Sequence, residues 1–347
     1  MATLQVLTRS DRLASSSART VLLLLRARAL VVLVLLVIIF SALTPVFFTA
    51  NNLAILTKHV ALSAILAIGT TFAILTGGID LSLGSVAGLS GMVAGLIITN
   101  YHLGAFAATI AAIIVALLVG LLNGVLVVRA GVAPFIATLG TLYMARGAAL
   151  LLSSGRTFPN LASKSSAFAI LGQGSLLHIP IPVCLMLLLY VVAAFIAAQT
   201  PLGRHVYGVG GNERAARLAG IEVSKVKLFT YLASAFGAAL VGLIIASQLD
   251  ASHPATGESF ELNAIAAVVL GGTSLSGGRG SITGSLLGAF VIGVLADGLV
   301  MLGISEFWQM VITGAVIVFA VAIDQFQVRL QARLLPFLLR SDIEAGA

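Results

Sequence analysis

The hydrophobic positions of this 347-residue chain neither alternate nor fall on one helical stripe. They run in long blocks separated by short polar or glycine-rich phrases. About 20 apolar residues carry an α-helix across the hydrocarbon core of a bilayer. Ten such blocks stand at roughly 29–48, 60–76, 84–99, 105–128, 134–152, 180–199, 228–247, 261–275, 282–302 and 307–325. The third and eighth are short enough to be broken or re-entrant. The first is too long for the apolar core of a signal peptide and no clean small-residue cleavage site follows it, so it reads as a retained span. The pattern predicts an all-α polytopic membrane protein.

Composition agrees, with 59% hydrophobic and 9% charged residues and a mean hydropathy of +1.13; a soluble surface carries about 25% charged residues. The net charge of +7 is spread over loops and ends rather than gathered into a nucleic-acid-binding face. With the N-terminus cytosolic, fifteen of nineteen Lys and Arg fall inside, Lys58, Arg156 and Lys164 fall outside, and Arg146 lies within a span. This is the positive-inside bias of an even number of spans with both ends in the cytosol. The division expected is a cytosolic tail at 1–28, a transmembrane domain at 29–327 and a cytosolic tail at 328–347.

Two glycine phrases recur between apolar blocks: Gly77-Gly78-Ile79-Asp80-Leu81-Ser82-Leu83-Gly84-Ser85 and Gly271-Gly272-Thr273-Ser274-Leu275-Ser276-Gly277-Gly278-Arg279-Gly280-Ser281. Irregular backbone at bilayer depth is tolerated only where it packs on protein or lines a wet path, and a repeated broken element between spans points to a duplicated translocation fold. The span count puts both phrases at the cytosolic face, as hinges. Glycines four apart at Gly84/Gly88, Gly91/Gly95, Gly120/Gly124 and Gly280/Gly284/Gly288 allow close helix approach.

The longest cytosolic loop, 200–227, contains Asn212 as an N-cap, Glu213 at the positive end of a short alanine-rich helix, and Gly220 to stop it. Such a helix suits docking on another protein. Gly208, Gly210 and Gly211 do not complete a dinucleotide fingerprint, and no GxxxxGK[ST] phosphate loop occurs. Cys184 is alone and the five His are isolated, so neither a paired-cysteine metal site nor a catalytic constellation is expected.

Several polar residues lie within or beside the spans. Asp80 fits either a helix cap or a gating role. Asn123, Thr138, Thr141 and Asn263 are uncharged hydrogen-bonders that suit a hydroxyl-bearing solute or helix-to-helix bonding, and Phe135 suits a solute's apolar face or core packing. Arg146 and Asp297 stand at similar depth in their spans, which suggests an ion pair or two side chains snorkelling to the outer interface.

Four phrases together carry a family resemblance: LTGGIDLSLGS at 75–85, NGVLVVRAGVAPFIATLGTLYMARGAALL at 123–151, GRHVYGVGGNERAARLAGI at 203–221 and ELNAIAAVVLGGTSLSGGRGSITGSLLGA at 261–289. From about residue 53 to 325 the chain resembles the permease subunits of bacterial ATP-binding-cassette importers for monosaccharides such as ribose, xylose and arabinose. The resemblance implies a multi-pass inner-membrane permease that works as a homodimer among membrane lipids. A cytosolic, tandem ATPase would bind the ATP, and a periplasmic binding protein would deliver the sugar. No cofactor and no catalytic residue are expected in this chain. ATPase coupling would fall to Arg204, Asn212, Glu213, Arg214, Ala215, Ala216 and Gly220. The substrate path would involve Asp80, Asn123, Phe135, Thr138, Thr141 and Asn263, and the hinges Gly77, Gly78, Gly84, Gly271, Gly272, Gly277 and Gly278. The family more often carries Asn where Asp297 stands. The alternative is a proton-coupled carrier of a small polar solute using Asp80, Asp297 or Glu261, which the scarcity of intramembrane ionisable groups disfavours.

Overall fold

The computed structural model describes residues 28–319 and 321–322; both predicted tails lie outside these, apart from Arg28. The apolar blocks become α1 (Arg28–Leu43), α2 (Ala50–Leu75), α3 (Leu83–Thr99), α4 (Ala105–Val128) and α5 (Pro134–Ser153). Then follow the short α6 (Leu161–Lys164) and α7 (Ser166–Gln173), α8 (Ile181–Gln199), α9 (Pro201–Gly211), α10 (Glu213–Leu218) and α11 (Val223–Gln248). The C-terminal part holds α12 (Phe260–Leu270), α13 (Ile282–Met301) and α14 (Glu306–Phe319).

Every predicted span has its helix, and α2 and α11, each of 26 residues, run well beyond the apolar blocks at 60–76 and 228–247. α2 begins ten residues earlier than predicted, at a Thr49 cap whose hydroxyl accepts from the Asn52 N–H. The stretch 201–211, expected as loop, is helical. Thr200 caps it by accepting from the Gly203 N–H at 3.2 Å, and Pro201 sits in the first turn, where its missing donor costs nothing.

The core is built by α2, α3, α11, α12 and α13. Only Leu96, Ile97 and Thr99 of α3 escape burial. The most apolar stretch of α11 is 67% buried, against 28% in both α5 and α8, so the latter present most of their surface outward. The stripes of small residues act as contact surfaces. A Cβ on Gly271 would stand 2.3 Å from the Gly284 carbonyl and one on Gly284 2.2 Å from that of Gly271, so α12 and α13 meet backbone to backbone.

α12 has 11 residues and at 1.5 Å per residue covers about half of a 30 Å hydrocarbon core. The segment 250–259 completes the depth. It packs on α3 through Ser252, whose hydroxyl donates to the Gly91 carbonyl at 2.6 Å. Its strand β2 (Ala251–Ser252) pairs with β1 (Phe158–Pro159) of the loop after α5. The eighth block is therefore a short helix preceded by an irregular segment, the broken form that its length suggested.

Candidate functional site

The two glycine phrases meet. The Gly278 N–H donates to the Leu75 carbonyl at the end of α2 at 2.9 Å, and a Cβ on Gly277 would stand 3.0 Å from the Gly77 nitrogen. Gly77, Gly277 and Gly278 have φ of +77°, +83° and +70°, a region open to glycine and closed to most side chains. The end of α9 enters the same junction. A Cβ on Gly210 would stand 1.6 Å from the Leu75 carbonyl oxygen and 2.6 Å from the Gly278 nitrogen. Tyr207, one turn earlier on α9, donates from its hydroxyl to the Gly280 carbonyl at 3.1 Å. Here backbone touches backbone among three elements, and only glycine permits that spacing.

Beyond the junction the first phrase climbs to Asp80, which is 1% exposed. Its Oδ1 accepts from the Ser82 N–H at 2.9 Å and from the Ser82 hydroxyl at 2.7 Å, an Asx turn that launches α3. Asn123 of α4 donates to the Ser82 hydroxyl oxygen at 2.9 Å, and Thr141 of α5 donates to Asn123 Oδ1 at 2.6 Å. Thr138 donates to the Ile79 carbonyl at 3.2 Å. The buried Tyr231 hydroxyl of α11 has no hydrogen-bond partner among the described residues and would lie 2.9 Å from a Cβ on Gly78. Four of the six predicted path residues, Asp80, Asn123, Thr138 and Thr141, therefore converge, but as a buried hydrogen-bonded chain that fastens the first phrase to α4 and α5. Phe135 is half exposed and Asn263 lies on α12; neither bonds to this group.

The predicted Arg146–Asp297 pair does not form. Arg146 Nη1 donates to the carbonyls of Pro254 and of Thr256, the latter at 2.9 Å, while Asp297 Oδ2 accepts from Asn52 Nδ2 at 2.9 Å. α5 packs on α3 and α4, whereas α13 packs on α1, α2 and α12. Equal depth fixed one coordinate of the two residues and left their angular positions around the bundle open.

The helix predicted at 213–219 is α10, over Glu213–Leu218. Asn212 Oδ1 accepts from the Ala215 N–H at 2.9 Å. The far end closes with the Ile221 N–H on the Ala216 carbonyl and the Gly220 N–H on the Arg217 carbonyl, Gly220 having φ of +84°, which is a Schellman stop. Glu213 binds Lys227 of α11 at 2.7 Å and Arg217 at 3.0 Å, tying α10 to a core helix. The hydrogen bond from Lys227 chiefly, then the two cationic charges, hold the Glu213 carboxyl below the usual carboxylate range. Arg204, Arg214, Ala215 and Leu218 are exposed, Leu218 at 84%. Ala216, expected on the docking face, is 5% exposed and packs inward. Leu218, which sequence reasoning passed over, is the exposed large apolar side chain of α10.

A bundle of membrane-length apolar helices, a broken-helix junction at one face and a capped surface helix bonded beside it define a transport permease. Residues 51–321 match the family described as branched-chain amino acid transport system, permease component. The chain is 45% identical over 288 residues to the ribose import permease protein RbsC of Bacillus subtilis (83% of this chain, 88% of that one). It is 40% identical over 287 residues to RbsC of Escherichia coli K12 (82% and 89%). Against the D-allose transport system permease protein AlsC of Escherichia coli K12 it is 35% identical over 288 residues (83% and 87%). No solved structure matches the chain. The chain belongs to this family of permease components of ATP-binding-cassette importers, and is a transport subunit rather than a proton-coupled carrier.

Proposed function

We propose that the chain conducts a monosaccharide, ribose in the first instance, inward across the bacterial inner membrane as one of two identical permeases. Its relatives at 40–45% identity are named as ribose import permeases. ATP is bound and hydrolysed by a cytosolic, tandem ATPase seated on α10, and a periplasmic binding protein delivers the sugar. The chain itself carries no cofactor. Both tails are cytosolic, and lipid covers the apolar outer faces of α4 and α8.

The observation that carries the mechanism is the glycine junction. α10 follows α9 directly, and α9 ends with Gly210 seated between the Leu75 carbonyl and the Gly278 nitrogen. A displacement of α10 by the closing ATPases therefore reaches both glycine phrases at once. Shifting the first phrase strains the Asp80–Ser82–Asn123–Thr141 chain and opens the path behind it. Interiors packed this closely switch between discrete arrangements rather than deforming smoothly.

The test is sugar uptake into liposomes holding the permease with its ATPase, driven either by ATP with a panel of loaded binding proteins or by a pH gradient alone. Uptake that needs ATP and the ribose-loaded protein is the expected result. Uptake that follows the pH gradient without ATP sinks the reading.

A further inference from the structure

Between α4 and α8 the bundle carries a groove of about 320 Å³ that neither the glycine junction nor the Asp80 chain uses. α8 rests on α2 and α4 on α11, so α2 and α11 form its floor and the two outer helices its walls. Phe72 of α2 and Phe229 of α11 meet edge to face on that floor, with ring centroids 5.6 Å apart. The floor is low where side chains are small, at Ala233 and Gly237 of α11. The lining is apolar throughout. Val192 of α8 is 45% exposed and Phe236 of α11 36%, so the groove opens to the outside of the bundle.

Its depth in the bilayer follows from α11. From Phe229 to Gly237 that helix rises about 12 Å, close to the hydrocarbon depth of one leaflet, about half of 30 Å. Spread over about 12 Å of helix rise, the groove has a cross-section of about 27 Å². That is about a third of the section of a helix about 10 Å across, so it takes an extended hydrocarbon chain and not a helix. Lys225, Phe229, Leu232 and Phe236 recur at steps of four, three and four and share one face of α11. Lys225 is exposed and stands about 6 Å beyond Phe229, at the end of α11 next to α10, the level of lipid headgroups. Its partner is Glu222 at 2.8 Å, in a pair whose side chains are both exposed. Such a pair is weak, and the ammonium can exchange it for a phosphate.

We propose that the groove between α4 and α8 binds one anionic phospholipid of the cytosolic leaflet, an acyl chain lying over Phe72, Phe229 and Gly237 and the headgroup on Lys225. A floored apolar slot with one cation at its mouth sets this site apart from the general lipid coating of α4 and α8. It does not depend on which solute the permease carries. Phe72 stands one turn before Leu75, whose carbonyl accepts from the Gly278 N–H at 2.9 Å. The bound chain therefore braces the end of α2 where the two glycine phrases meet.

The test is native mass spectrometry of the delipidated full chain in detergent, titrated with phosphatidylglycerol and with phosphatidylcholine of the same acyl chains. Native chain is compared with Lys225→Gln and with Val192→Trp, which carries bulk into the groove from an exposed wall position. Native chain is expected to take up one tightly bound phosphatidylglycerol. Lys225→Gln should bind it about fivefold more weakly, the scale of one basic side chain at an anionic surface, and bind phosphatidylcholine as the native chain does. Val192→Trp should lose the tight site for both lipids while its melting temperature shows it folded. No tight lipid on the native chain overturns the proposal, as does equal binding by native chain and Val192→Trp. Loss of dimer mass in Val192→Trp with lipid binding unchanged gives the groove to a second copy instead. Should Val192→Trp not fold, Lys225→Gln still decides, because its side chain is 78% exposed; unchanged affinity for phosphatidylglycerol then overturns the site.

Discussion

Gly210 and Gly211 are neighbours with opposite demands. A methyl on Gly210 would overlap the Leu75 carbonyl oxygen at 1.6 Å, whereas one on Gly211 meets nothing within 4 Å. Gly210→Ala is expected to destabilise the protein by at least the 1–3 kcal/mol typical of overpacking, and Gly211→Ala to be close to neutral. Thermal unfolding of the two variants in detergent checks this; equal effects would mean that α9 does not enter the junction. Asp80 invites a similar comparison. Asp80→Asn keeps an oxygen for the Ser82 N–H and hydroxyl, while Asp80→Ala leaves both without their acceptor in a buried site, costing about 1–3 kcal/mol for each group stranded. The Ala variant should unfold well below the Asn variant.

Single residues were unevenly legible in the sequence. The polar types at 80, 123, 138 and 141 announced a buried cluster, but residue type alone did not say whether they bind a solute or one another. Arg146 and Asp297 were paired because depth in a span can be counted from sequence. The direction in which each helix faces depends on neighbours brought together from distant parts of the chain.

Among the elements, α10 is where local rules are sufficient. Asn212 at the start, Glu213 in the first turn and Gly220 past the end specify a short helix before any packing is considered, and the structure has it. Asn212→Ala is expected to cost about 1 kcal/mol of local stability, read as faster hydrogen exchange at the Ala215 amide. The Glu213–Lys227 tie has a defined pH window. Because the Glu213 carboxyl is held below its usual range, the stabilisation is present above that range and is lost as pH falls through the lowered value. Protection of 213–219 should stay constant from pH 7 to 5 and drop only in stronger acid. Glu213→Gln should remove that acid step.

α9 was missed because Gly203, Gly208, Gly210 and Gly211 give it poor intrinsic helix propensity. Tertiary context overrides it: Gly203 lies against the end of α8 and Gly210 against the junction. The glycines that argued against a helix are the ones its surroundings require. α12 shows the converse, since its shortness was legible while the segment 250–259 that completes its depth carries no apolar pattern.

For the molecule as a whole, the account joins a surface helix to a buried path through the close backbone contacts of the glycine junction. Its most exposed link is Leu218, which contributes little to the fold and stands where the ATPase is proposed to dock. The decisive measurement is ATP hydrolysis by the partner ATPase in liposomes, with and without ribose-loaded binding protein, comparing native chain with Leu218→Asp. The account predicts stimulation by the loaded protein in the native complex and its loss in the variant, with the variant's melting temperature unchanged. Full stimulation in Leu218→Asp, or stimulation that ignores the loaded binding protein, would contradict it.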